Sequence, residues 1–128
     1  MIQSEHSLFN QLGGTETIAR LVRAFYRRVA KDPDLSPIFP EDLTETEEKQ
    51  FRFLTQFTGG PPLYSEKYGH PRLRARHLPL PITPVRAEAW LRCMKEALDE
   101  IGLTGPARDE FFRRVSLTAH HMVNTQAD

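Results

Sequence analysis

A single cysteine, Cys93, rules out an intrachain disulfide and gives no hint of an oxidising compartment. No apolar run approaches the ~20 residues needed to span a membrane as a helix. Neither sign of charge is in surplus, since seventeen Lys and Arg face seventeen Asp and Glu. That balance argues against a general nucleic-acid binder, which carries a basic excess, and against a polybasic membrane anchor. The opening Met-Ile-Gln-Ser-Glu-His has no basic segment followed by an apolar one, so no secretory signal is expected. There is no Gly-rich phosphate loop, no Gly-x-Ser-x-Gly elbow and no His-Glu-x-x-His zinc motif. Strand-period alternation, internal repeats and low-complexity tracts are missing as well. The expectation left standing is a cytoplasmic chain with neither nucleic acid nor membrane as partner. Its 128 residues read as one domain over positions 1–128, enough to bury about two-thirds of the unfolded-chain surface around one core.

Four helical patterns fill most of the chain. The first follows Gly13-Gly14, with Thr15 as its expected N-cap. Ile18, Leu21, Val22, Phe25 and Val29 make one apolar stripe along it, and Asp32-Pro33 ends it. Pro37 and Pro40 forbid a regular helix over 33–40. The second pattern begins at Thr44-Glu-Thr-Glu47, which reads as a capping box, and stops at Gly59-Gly60-Pro61-Pro62. The third opens at Thr83-Pro84, shows Ala87, Trp90, Leu91, Met94, Leu98 and Ile101 on its apolar face, and closes at Gly102. The fourth starts at Gly105-Pro106, turns Phe111, Phe112, Val115, Ala119, Met122 and Val123 inward, and ends near Asn124. The predicted fold class is therefore all-α. Residues 61–83 hold five prolines and one short helical stretch at about 71–77. An irregular link of that length in a compact domain is usually functional or disordered.

Three polar tips sit on otherwise apolar faces. On the second helix Thr46, Gln50, Leu54 and Phe57 share one stripe, so the amide of Gln50 is either at a wet edge or in a pocket. Tyr26 borders the stripe of the first helix, and reads either as a rim tyrosine or as a pocket donor. Trp90 is central on the third helix, and its indole N–H needs an acceptor even in a core. A small, mostly dry pocket with a few placed donors has this make-up. Cys93 reads as a packed, inert helix residue. Among the histidines, His6 is near a terminus and His70 precedes a proline. His120 and His121 are neighbours on a helix and do not match the i, i+4 pair that chelates zinc. His77 closes Gly-His-Pro-Arg-Leu-Arg-Ala-Arg-His, residues 69–77, just before a Pro-rich run. A lone histidine is weak evidence for a ligand, but haem iron can be held by a single one because the macrocycle brings the other donors.

The chain resembles group II of the bacterial truncated haemoglobins over nearly its whole length. The resemblance is carried by Gly13-Gly14, Phe25-Tyr26, Pro37-Ile-Phe-Pro40, Gly59-Gly60-Pro61, Gly69 to His77 and Ala89-Trp-Leu-Arg-Cys-Met94, in that order and with matching spacing. It implies a truncated globin fold, two helices over two around a b-type haem, with His77 as the proximal iron ligand. Tyr26 and Trp90 would be distal donors, Thr46 would take the place of the distal histidine of ordinary globins, and Gln50 would lie one turn further on. Phe39 matches the aromatic packed on the haem face. Some relatives carry a tyrosine there, so its phenylalanine removes one possible hydroxyl. Lys49, Tyr64 and Arg76 sit where relatives meet the haem propionates. Phe53, Leu54, Leu73, Ile82 and Met94 would be apolar haem contacts.

The function this implies is binding of O2 and other diatomic ligands, with high oxygen affinity, at a five-coordinate iron. An alternative on the same haem is peroxidase-like or nitric-oxide-oxidising chemistry, with NO, CO or peroxide among the partners. A catalytic cycle would need an outside reductase, because no reductase domain fits in the chain. A haem-free helical interaction module is the third class. The residues leave monomer and homodimer both open.

Overall fold

The computed structural model describes residues 7–72, 75, 77 and 80–126, and among them every regular element is helical. In chain order these are α1 (Leu8–Leu12), α2 (Gly14–Val29), a 3-10 turn (Ser36–Ile38), α3 (Thr44–Phe57), α4 (Leu63–Tyr68), α5 (Pro84–Glu100) and α6 (Pro106–Met122). Ala75 and His77 are helical too. Helix α2 packs on both α3 and α5, α5 packs on α6, and α1 joins α2 to α6. This is the two-over-two arrangement expected. No helix among the described residues is long and apolar enough to cross a membrane.

The stripe of α2 explains its place at the centre. Ile18, Leu21, Val22, Phe25 and Val29 are all buried, each contributing roughly 1.5–3 kcal/mol by leaving water. Opposite them lie Leu54 of α3, Met94 and Leu98 of α5, and Phe111 of α6. The start of α2 differs from expectation. Gly13, at φ 115°, ends α1 and begins α2 at once, so no side chain at Thr15 is needed as a cap. A Cβ on Gly13 would collide with the Thr17 hydroxyl. The expected capping box at Thr44 is also replaced. Thr44 already lies inside α3, and its backbone N–H donates to Asp42 Oδ1 at 3.0 Å. That bond holds the exposed Asp42 carboxyl below its ordinary range. The Thr83 cap of α5 is as expected, with Arg86 N–H donating to Thr83 Oγ1 at 3.1 Å.

Two short helices, α1 and α4, were not anticipated. Ser7 caps α1 by accepting from Asn10 N–H, and Leu8, Phe9 and Leu12 bury its inner face. Gly60 lets that face approach closely, because a Cβ there would lie 2.9 Å from the Phe9 ring and the Thr55 carbonyl. Beyond α2, Asp32 organises the turn into the 3-10 segment. Its Oδ1 accepts from Asp34 N–H and Leu35 N–H, and its Oδ2 accepts from Arg92 at 2.6 Å. The residue is only 8% exposed. Burial opposes its charge, but the bonds from Arg92 and the two backbone amides win and hold its carboxyl below the usual range.

Candidate functional site

A cavity of about 300 Å³ lies between α3, α5, α6 and the segment that carries His77. Helix α3 gives it one wall: Thr46, Gln50, Phe53, Leu54 and Phe57 recur at three- and four-residue intervals and so share a face. The stripe read from sequence is therefore a cavity wall. His77, Leu80 and Ile82 line it from the Pro-rich link, and Ala87 and Trp90 from α5. Phe39 closes one end with Leu35, Ile38 and Pro40. Prolines at 37 and 40 keep this stretch from continuing as an α-helix, and it forms a single 3-10 turn beside the cavity. Val115, Ala119 and Met122 of α6 complete the enclosure. Between α3 and α6 the cavity shares Phe53, Phe57, Thr118 and Met122 with a more open groove that also touches His70 and Arg72.

Eight of the residues singled out from sequence thus meet at one cavity: Phe39, Thr46, Gln50, Phe53, Leu54, His77, Ile82 and Trp90. Tyr26 stands just behind them. It is 4% exposed, so it is not a wet rim residue. Its ring lies edge-on to Phe25 at 4.8 Å and to the cavity-lining Phe39 at 6.0 Å. Burial, aided by the charge of Glu47, drives its phenol well above the ordinary tyrosine range. The hydroxyl therefore keeps its proton and remains a donor. Trp90 is half-buried with its ring 5.0 Å from that of Phe25, so Phe25 buttresses both polar aromatics.

Other residues fall elsewhere. Met94 is fully buried in the helical core rather than on the cavity wall. Lys49 pairs with Glu45 at 3.0 Å and lies 5.5 Å from the centre of the Tyr68 ring. Tyr64 is buried, edge-on to Phe53 at 6.1 Å. Lys49, Tyr64 and Tyr68 form a cluster on the flank of α3, one layer from the cavity. Leu73 and Arg76 lie outside the described residues, as does His6. Cys93 is buried, its thiol pushed up to about 11 chiefly by desolvation, which fits an inert packing role. Sequence reasoning missed the α6 wall and Arg86. Val115, Ala119 and Met122 were visible as an apolar face but read as core. Arg86 is drawn to the cavity edge by the carbonyls of Asp34 and Pro81, at 3.0 and 2.8 Å, which no motif announces.

The donor set decides what the cavity can hold. Among the described residues that line it, His77 is the one imidazole. No group of three or more His, Cys, Asp or Glu among the described residues could grip a bare ion. A metal at His77 must bring its remaining donors with it, inside a largely apolar group that suits apolar walls. Haem meets both conditions.

Comparison with known proteins agrees. The model of the bacterial-like globin family matches residues 7–124. The group 2 truncated haemoglobin YjbI of Bacillus subtilis is 61% identical over 116 residues, which cover 90% of this chain and 88% of the relative. The crystal structure of the group II truncated haemoglobin from Bacillus anthracis superposes with a TM-score of 0.95 at 57% identity, over 98% of this chain and 96% of that one. An X-ray structure of a truncated oxygen-avid haemoglobin from Bacillus subtilis has a TM-score of 0.91 at 58% identity, over 93% of this chain and 100% of that one. Fold and cavity thus define a small globin domain whose helices build a single-histidine pocket. The chain belongs to the bacterial-like globin family, in group II of the truncated haemoglobins. Haem-based binding of diatomic ligands follows from that membership.

Proposed function

We propose that this globin binds O2 with high affinity on a b-type haem held by His77, with Tyr26, Trp90 and Gln50 as hydrogen-bond donors to the bound gas. The observation that carries this reading is the cavity itself. It has one imidazole on one wall, polar tips on two others, and a buried tyrosine directly behind Phe39. His77 would hold the haem, which would supply the iron chemistry of diatomic-gas binding. The chain does the rest. His77 would offer a ring nitrogen to the metal. The apolar residues of α3, α5 and α6 keep water out, which strengthens any hydrogen bond made inside. Tyr26 donates an O–H that burial keeps protonated. Trp90 has an N–H and no acceptor, so it can only donate, whereas Gln50 can do either. Thr46 is small and leaves the α3 wall open beside Gln50. A ligand that gains partial negative charge is favoured by each such donor, by roughly 1.5–3 kcal/mol.

The Bacillus subtilis relative described as oxygen-avid supports the affinity part of the reading. Spectra of the ferric, ferrous and oxygenated protein test it directly. His77→Gly is expected to lose the five-coordinate ferrous spectrum and regain it on adding free imidazole. An unchanged ferrous spectrum in that variant would show that another residue holds the haem.

A further inference from the structure

We propose that Asn124 is a positioning residue for His77, its side-chain amide fixing the backbone that carries the histidine. The proposal rests on the reading of His77 as the haem ligand. The need for such a residue is written in the prolines. In a continuing helix the carbonyl of His77 would accept from residue 81 and that of Leu80 from residue 84, but both are prolines and have no N–H; the chain turns instead, and Leu80 N–H donates to the His77 carbonyl at 2.9 Å, filling one of its two lone pairs. Asn124 Nδ2 donates to these same two carbonyls, at 3.1 Å to His77 and 3.0 Å to Leu80. Its Oδ1 accepts from Ile82 N–H at 3.0 Å and from the Thr125 hydroxyl at 2.8 Å. The amide's two N–H groups and two lone pairs are all in use. The backbone adds to the tie, since the N–H groups of Asn124 and Thr125 both donate to Ile82 O, at 3.0 and 3.2 Å.

The tie joins two walls of the cavity. His77, Leu80 and Ile82 form one, and Asn124 lies two residues beyond Met122, which belongs to the other. Displacing the His77 backbone against α6 means breaking these bonds together. Asparagine is the side chain that fits. Aspartate has the same size but no N–H, and would turn a carboxylate toward two carbonyls.

The test uses the haem-loaded protein. Resonance Raman of the ferrous, ligand-free form reads the iron–histidine stretching band, and transfer of haem to excess apomyoglobin reads its retention. Asn124→Asp is expected to shift or broaden the band and to speed haem loss about 10-fold. Thr125→Val, which frees one side of the amide, is expected to move both in the same direction but less. Gly13→Ala, which forces a side chain onto the Thr17 hydroxyl at the α1–α2 junction outside the cavity lining, is expected to lower the melting temperature and leave the band in place. A variant Asn124→Asp that melts earlier but keeps the parent band and haem-loss rate overturns the proposal. Should it not fold, an unmoved band in Thr125→Val does the same. A parent protein without an iron–histidine band would refute the ligand reading itself instead.

Discussion

Replacing Tyr26 with phenylalanine removes one oxygen atom and leaves the ring in place. The edge contacts to Phe25 at 4.8 Å and Phe39 at 6.0 Å need only the ring, so the packing of α2 against the cavity survives. What disappears is an O–H that burial shields from water. A hydrogen bond to a charged group contributes roughly 1.5–3 kcal/mol, so its loss should speed O2 dissociation about 10- to 150-fold. Stopped-flow measurement of O2 release, with carbon monoxide as trap, reads this number. Trp90→Phe removes the second donor and should give a change of the same order. The double variant should fall short of the product of the two, because neighbouring donors to one ligand are not independent. The pH dependence adds a second check. Burial and the charge of Glu47 raise the phenol's pKa, so the proton stays on Tyr26 as pH rises through the ordinary tyrosine value. The parent off-rate should therefore be flat from about pH 6 to about pH 10. The raised value also means that the stability contributed by the neutral phenol is fully present below pH ~10 and declines above it. Off-rates within twofold of the parent in both single variants would remove Tyr26 and Trp90 from the donor set.

Two further outcomes concern the frame around the site. Asp32→Asn should cost about 1–3 kcal/mol in urea unfolding, because Arg92 and two backbone amides lose a charged acceptor. Since the Asp32 carboxyl is held below its ordinary value, its contribution is present above pH ~4 and is lost as the pH falls through the folded-state value. The gap between parent and Asp32→Asn should close in acid, and a constant gap would argue against the charge. Gly13→Ala forces a side chain into φ 115° and onto the Thr17 hydroxyl, so a loss of at least about 1 kcal/mol is expected in the same assay. A melting curve matching the parent would mean that the α1–α2 junction has room to shift.

The long helices were legible because their apolar residues recur every three or four positions over at least three turns. The stripe of α2 and the Thr83-Pro84 start of α5 were read correctly for that reason. α1 and α4 are too short for periodicity to speak, with five and six residues, and their place is set by packing on Thr58, Gln56 and Phe53. The start of α3 misled because Thr44 and Glu47 have capping-box spacing, while Asp42, two residues earlier, reaches the helix end first. At the site, His77, Gln50 and Trp90 stood out as polar groups in apolar company. Val115, Ala119 and Met122 did not, since an apolar residue on a helix looks the same whether it faces a core or a cavity. Nor could spacing reveal Asn124, whose side chain bonds backbone groups of His77, Leu80 and Ile82, all more than 40 residues away.

That separation has a consequence for the order of events at the ribosome. His77 emerges 47 residues before Asn124, and α6, which closes the cavity, is translated within that interval. At about 5–20 residues per second, the gap lasts about 2–9 s. Throughout it the histidine and the wall from α3 exist without their enclosure or their tie, and the α5 wall appears only partway through, so a cofactor at His77 would meet a complete cavity only after α6 and Asn124 have emerged.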